Sequence, residues 1–339
     1  MDKKNTGKRW IAVLIAVVIF AISLVSNGIT SSMEEEKAEE LFTDKFNQFT
    51  KQTQKTIKGT NTDEKILVID VDGMIADTPD SYLSDGFNYD FFMKELDKIK
   101  EDSTIKAAII RVNSPGGSVY ISEQMKNKIL EVKEQTQIPI YTVMEEMAAS
   151  GGYYISAPTD RIYASNETLT GSIGVIMSTY NLKGLFDKYG IKEENITSGK
   201  FKDLGSQGKE MTKEDREILQ NLINGAYERF VNVVAEGRGM KTDDVKKIAD
   251  GRVYDGSQAV ENGLVDKIGD INMAIDDLTK ELELTDPMVY SEESGLSSFA
   301  SLFQKVGDNI NKKSSSDLQV LDKLMNDDNM PKPMYMYGE

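Results

Sequence analysis

Between Trp10 and Thr30 the chain carries no charged side chain, and the nine residues before that stretch hold Lys3, Lys4, Lys8 and Arg9 against a single acid, Asp2. At about 1.5 Å per residue such a run makes a helix of roughly 30 Å, the thickness of a bilayer's hydrocarbon core. It is longer than the apolar part of a signal peptide and no Ala-x-Ala pattern follows it, so it reads as an uncleaved anchor. The flanking positive charge then places residues 1–9 in the cytoplasm and the remainder on the outer side of the cell membrane, a single-pass arrangement. After position 9 the chain has 36 basic and 55 acidic groups, a net charge of −19. Such a surface repels nucleic acid and gains nothing from an anionic lipid face.

The 339 residues include no histidine and no cysteine. Ser-His-Asp and Cys-His nucleophile systems are thereby excluded, as is any metal site ligated by imidazole or thiolate. Without disulfides, an exported domain must be stabilised by a packed core or by subunit assembly. A hydrolase built from this chain needs lysine or carboxylate as its base, and the reading requires no cofactor and no metal.

Residues 31–60 read as a stalk helix or linker. Over 32–57 they are polar, with Leu41, Phe42, Phe46 and Phe49 at roughly helical spacing. Residues 61–290 read as the globular domain. Short β-branched runs at 66–71, 107–112, 139–144 and 161–164 alternate with helical stretches at 91–100 and 122–134, which predicts an α/β fold with mainly parallel sheets and flanking helices. A long helix is expected over 213–236, capped by Thr212, with Ile218, Leu222, Tyr227, Phe230, Val231 and Val234 on its apolar face and Gly237 and Gly239 at its end. Glycines then punctuate a short helix and strand over 251–269. Residues 291–339 read as a flexible tail, yet its end, 330–337, is proline-led and alternates Met and Tyr, a pattern compatible with a strand.

The chemistry-bearing candidates cluster around small residues. Ser150 is followed by Gly151 and Gly152, which lets a substrate backbone approach, and the Gly151 N–H would be an oxyanion donor. Upstream, the loop of Pro115, Gly116 and Gly117 follows a strand and could turn a second backbone N–H into the same pocket. A lysine takes the serine's proton only when neutral, which near pH 7 means about three units below its ordinary 10.4. Lys202 follows Phe201 and is the leading candidate for that base, with Lys200 and Lys209 as neighbouring alternatives. Asp203 would raise the amine's basicity and is expected to point away. Ser172 could hold the lysine amine by a hydrogen bond. Spacing alone leaves open whether Ser150 and Lys202 meet.

The runs NSPGG (113–117), MAASGGYYIS (147–156), TGSIGV (170–175), SGKFKDLGS (198–206) and GRVYDGSQAVENGLVDKIG (251–269) occur in an order and at spacings that resemble the signal peptide peptidase A (SppA) family. The resemblance covers residues 62–285 and, by length, matches the half-size members with one catalytic domain. It implies the Clp protease/crotonase fold, a membrane-anchored serine endopeptidase, and apolar peptides such as remnant signal peptides as substrates. Carried over by position, it implies Ser150 as nucleophile, Lys202 as general base, Gly117 and Gly151 as oxyanion hole and Ser172 as the lysine-orienting residue. It also implies a homo-oligomer, an octamer in half-size members, with Ser and Lys of one site contributed by neighbouring subunits.

Two rivals come from other classes. Ile66–Gly73 resembles the strand-end Asp-x-Asp-Gly of haloacid-dehalogenase-type phosphatases, with Asp70 as nucleophile and Asp72 as acid. A non-catalytic, membrane-tethered scaffold of the same fold is the other. The alternating Met and Tyr of 330–337 further suggest that the C-terminus occupies the substrate groove as a self-ligand or processing site, its tether keeping it at high local concentration.

Overall fold

The computed structural model describes residues 53–76, 87–293 and 334–336. The expected anchor at 10–30, most of the stalk and most of the tail lie outside these residues. Among the described residues no helix is long and apolar enough to cross a membrane.

In chain order the elements are strands β1 (Thr53–Lys58) and β2 (Asn61–Asp72), helix α1 (Tyr89–Glu101), strands β3 (Ile105–Ser114) and β4 (Gly116–Ser118), helix α2 (Val119–Thr136), strand β5 (Ile140–Ala149), helix α3 (Gly151–Ser156), and strands β6 (Arg161–Ala164) and β7 (Leu169–Gly171). There follow helices α4 (Lys183–Tyr189), α5 (Lys213–Arg238) and α6 (Thr242–Ile248), strand β8 (Val253–Tyr254), helix α7 (Gly256–Glu261), strand β9 (Lys267–Ile268), helix α8 (Ile271–Glu281), and strands β10 (Pro287–Glu293) and β11 (Met334–Met336).

One mainly parallel sheet runs β1-β10-β2-β3-β5-β6-β9, with β7 and β8 joined to the far end of β5. Only β1 on β10 and β8 on β7 pair antiparallel within it. Helices flank it, so the mixed α/β architecture with a mainly parallel sheet stands as expected and fits a Clp-protease-like fold. Ile66, Leu67, Val68 and Ile69 are all buried because both faces of this part of the sheet are covered. Leu67, Ile69, Ile110 and Met144 pack with Leu96 and Ile99 of α1, Ile129 of α2 and Phe230 of α5. Ile66, Val68, Ile109 and Tyr163 pack with Ala274, Ile275 and Leu278 of α8. Truncating a fully buried leucine such as Leu96 to alanine is expected to cost about 2–5 kcal/mol.

Several expectations need correction. Residues 53–57, expected in the stalk helix, form β1, because Thr53, Thr56 and Ile57 suit an edge strand and β10 offers it an open edge. β10 runs on to Glu293, past the expected boundary at 290. Leu222 is exposed rather than on the buried face of α5. Gly237 lies inside α5 and permits close packing, since a Cβ there would stand 2.2 Å from the Ala157 carbonyl oxygen. Gly239, at φ 62°, ends the helix as expected.

Candidate active site

β5 changes partner along its length, pairing with β6 through Met144 and with β7 over Met147–Ala149. Beyond Ala149 the chain turns sharply into α3, and Ser150 at the corner takes φ 54° and ψ −112°. A serine held there carries about 1–3 kcal/mol of backbone strain, which the surroundings must over-determine. They do so through the hydrogen bond from Ser150 N–H to the Gly171 carbonyl at 2.8 Å and the start of α3, where Tyr154 N–H returns to the Ser150 carbonyl at 2.8 Å. Ser150 is 1% exposed, and its Oγ has no hydrogen-bond partner among the described residues.

The loop at the end of β3 closes over this corner. Ile75 N–H donates to the Gly116 carbonyl and Ser118 N–H to the Ile75 carbonyl, each at 2.8 Å, so Gly117's own N–H and C=O face the opposite way. A Cβ on Gly117 would lie 2.0 Å from the Ile75 carbonyl oxygen, and one on Gly116 (φ 101°) would lie 2.6 Å from the Gly151 nitrogen. The two glycine segments thus approach backbone to backbone. Ser172, at φ 48° and buried, follows Gly171, donates its N–H to the Arg252 carbonyl at 2.8 Å and lines a cavity of about 520 Å³.

Ser150, Gly117, Gly151 and Ser172 therefore come together, whereas Lys202 does not join them within one chain. It sits on an excursion in which Gly205 alone, between Met177 and Met211, is buried, and Phe201 beside it is itself exposed. The alternatives are engaged with acids. Lys200 contacts Glu214 and lies over the Phe201 ring, and Lys209 is 2.7 Å from Asp203. Asp203 thus turns to Lys209, while Lys202 makes no salt bridge among the described residues.

Reasoning from sequence missed the non-local partners. Ile75 holds the glycine loop, and Ser122 Oγ, buried and without a hydrogen-bond partner among the described residues, would lie 2.8 Å from a Cβ on Gly151. Nothing in the spacing of either residue signals a role. The Met and Tyr alternation did carry information. β11 lies antiparallel to β4, with Tyr335 opposite Gly117, and Met334 exchanges hydrogen bonds with Ile176 at 2.9 and 3.0 Å on its other edge. Met334's backbone groups being spent on Ile176, those of Tyr335 face Gly117, and a Cβ on Gly116 would lie 2.2 Å from the Tyr335 carbonyl oxygen. The Tyr335 ring is buried, stacked at 4.8 Å on Tyr154 and 4.7 Å from Phe230, and its hydroxyl donates to the Ala226 carbonyl at 3.1 Å. Burial pushes the Tyr335 phenol well up, and the same desolvation pushes Tyr154 up to about 12.

Asp70 and Asp72 sit on the uncovered end of the sheet, far from forming a free nucleophile and acid. Arg111 holds Asp70 with two hydrogen bonds of 2.6 and 2.9 Å, and Asn113 donates to Asp72 at 3.0 Å.

Peptidase family S49 matches residues 132–285. The protein named "Putative signal peptide peptidase SppA" of Enterococcus faecium is 41% identical over 98% of this chain and 98% of its own length. "Protease 4" of Haemophilus influenzae is 34% identical over 68% of this chain and 37% of its own, and "Serine protease SPPA, chloroplastic" of Arabidopsis thaliana is 36% identical over 54% and 27%. With a relative of that identity along nearly its whole length, and a serine at the one corner where two glycine segments converge, this chain belongs to the SppA family of serine proteases, peptidase family S49.

Proposed function

We propose that the protein is an endopeptidase acting through a Ser150/Lys202 dyad on apolar peptides, remnant signal peptides among them, from a site anchored to the outer face of the cell membrane by residues 10–30. The observation that carries the reading is the buried, unpartnered Oγ of Ser150 at a strained corner beside the Gly117 and Gly151 backbone, with an extended peptide segment laid across the same loop.

The chemistry follows from the parts. Ser150 Oγ attacks the peptide carbonyl carbon while neutral Lys202 takes the hydroxyl proton, and the Gly117 and Gly151 N–H groups hold the oxyanion. Collapse of the tetrahedral adduct breaks the C–N bond, and the proton passes from the ammonium to the departing amine. A water then gives its proton to the lysine and attacks the ester, and as the C–Oγ bond breaks the ammonium returns that proton to Ser150 Oγ, releasing the acid and restoring both residues. An amine left in bulk water stays protonated at neutral pH, so the base needs desolvation that the exposed arm of one chain does not provide. This supports a homo-oligomer in which a neighbouring copy covers the arm and receives its lysine near Ser172. Tyr180, Tyr189, Ile191 and Ile196, exposed on that arm, supply apolar surface for such a contact.

The test compares full-length wild type with Ser150→Ala and Lys202→Ala on a fluorogenic signal-peptide-like substrate at matched oligomeric state. Loss in both supports the dyad. Activity surviving in both overturns the dyad, absence of activity in the wild type returns the chain to the scaffold reading, and an acid optimum in the wild type removes lysine as base.

A second reading rests on β11: the C-terminus is a self-ligand or processing site of this groove. Its strand pairing on both edges and the buried Tyr335 ring are what a bound substrate would present. Deleting residues 330–339 with no change in peptidase activity or in inhibition by added peptide would rule it out.

A further inference from the structure

Tyr335 lies opposite Gly117, and a Cβ on Gly116 would meet both the Tyr335 carbonyl oxygen, at 2.2 Å, and the Gly151 nitrogen, at 2.6 Å, so on the serine endopeptidase reading the peptide bond that follows, Tyr335–Met336, is the one the two proposed donors would present to Ser150. Met336 is then the first residue on the leaving-group side. Side chains alternate along a strand, so Met336 points away from the Tyr154 and Phe230 pocket that takes Tyr335. It lines instead the cavity of about 520 Å³ beside Ser172, whose other walls include Ile173 and Ile176 from the segment after β7 and Ile223 and Tyr227 from α5. That volume lies within the range of ligand pockets, about 300–1,000 Å³, and exceeds what one thioether side chain fills.

The charges nearby do not reach for a charged substrate. Lys246 is 2.8 Å from Glu228, and Asp250 is chelated by Arg252. Ile173, Val175, Ile176, Ile223 and Tyr227 supply apolar wall beside the polar Asn224, and Ser172, which also lines the cavity, follows the nucleophile's backbone anchor, Gly171.

We infer that this cavity is the subsite for the residue that follows the scissile bond, and that it selects a long, flexible apolar side chain there, methionine or leucine, over glycine or an acid. The inference rests on the serine endopeptidase reading above and adds a leaving-side specificity to it.

The experiment uses the full-length protein and peptides differing only at the position after the scissile bond (Met, Leu, Gly, Asp), together with the methyl ester of the acyl half, which has no leaving-side residue. In the wild type kcat/KM is expected to be about tenfold or more higher for Met than for Gly, the range a hydrophobic pocket supplies. In Ile223→Trp, which fills the cavity, the Met-to-Gly ratio is expected to fall to about two or less. The ratio is internal to each protein, so a general loss of fold or assembly does not mimic the result. A wild-type ratio near one, or a ratio unchanged in Ile223→Trp, overturns the subsite while Ser150-dependent ester hydrolysis leaves the endopeptidase reading standing. Absence of that ester hydrolysis in the wild type overturns the endopeptidase reading and the subsite with it.

Discussion

The nucleophile corner and the lysine arm are built to opposite standards. Ser150 sits between a parallel strand and a helix, strained, buried and fixed through Gly171, with Gly117 pressed on Ile75. The arm from Met177 to Met211 holds itself together locally: Glu193, kept below the usual carboxylate range by the Ser206 hydroxyl, accepts from that hydroxyl at 2.7 Å and from Gly208 N–H at 2.8 Å, and α4 buries no residue at all. A preorganised oxyanion site gains from rigidity. An exposed arm with apolar tips gains nothing until something covers it. If Lys202 is the base, as proposed, the contrast means that one chain builds the serine half of the site and presents the lysine half outward.

The largest effects test that division directly. Ser150→Ala and Lys202→Ala should each lower kcat/KM by about a thousandfold or more, since members of a catalytic unit fail together. Mixing the two inactive proteins under conditions of subunit exchange should restore about a quarter of the sites if serine and lysine come from adjacent copies of a closed ring. Recovery of no activity at all, with exchange verified, would place both residues in one chain. Because the base must be neutral, activity should rise with pH both in the burst that reports acylation and in the steady state that follows, and a deacylation rate independent of pH would remove lysine from the second half-reaction.

Next in size is Gly117→Ala. The added Cβ meets the Ile75 carbonyl oxygen at 2.0 Å, and the loop must shift to admit it, carrying its N–H off the oxyanion. Loss of one oxyanion donor costs about 10²–10³ in kcat. Near-wild-type kcat in this variant would mean that the corner's second donor lies elsewhere.

How much of this was legible depended on whether the signal was local. Ser150, Gly117 and Gly151 announce themselves because a strained turn and a close backbone approach demand small residues at fixed positions. Strands 66–71 and 107–112 were visible as β-branched runs for the same reason, and so was the helix expected over 213–236, through its cap and apolar spacing, which the structure extends to Arg238. Ile75 was not legible, since its role is a bridge to Gly117 across more than forty residues and any residue's backbone could make it. β1 hid behind polar residues, because an edge strand needs only a partner. The surroundings of Lys202 were misread: Phe201 beside it suggested burial, yet Phe201 is exposed and covered by the Lys200 amine rather than by apolar side chains.

A smaller effect separates occupancy from chemistry. Tyr335→Ala removes the ring stacked between Tyr154 and Phe230 and should weaken tail binding by about 2 kcal/mol or more, roughly thirtyfold in occupancy. If the tail competes with substrate, the apparent KM for an added peptide should fall while kcat holds. An unchanged KM would show that the tail does not hold the groove in solution.

The smallest effect lies where arm meets core. Thr212 and Asp215 form a reciprocal cap at the start of α5, Asp215 N–H donating to Thr212 Oγ1 at 3.1 Å and Thr212 N–H to the Asp215 carboxylate at 3.0 Å. Thr212→Ala keeps the second bond and loses the first, at about 1 kcal/mol. That corresponds to about a fivefold faster amide exchange in the first turn of α5, with β3 and β5 unaffected, if the arm opens independently of the sheet. The Thr212 N–H also holds the Asp215 carboxyl below its ordinary value. A depressed acid stabilises the folded turn above the ordinary carboxylate pKa, and that stabilisation fades as the pH falls through the depressed value. Acidification should therefore loosen the same first turn in the wild type before the sheet responds. Equal acceleration in α5 and in β3 would mean that arm and core open as one unit, and the division of labour between them would have no thermodynamic counterpart.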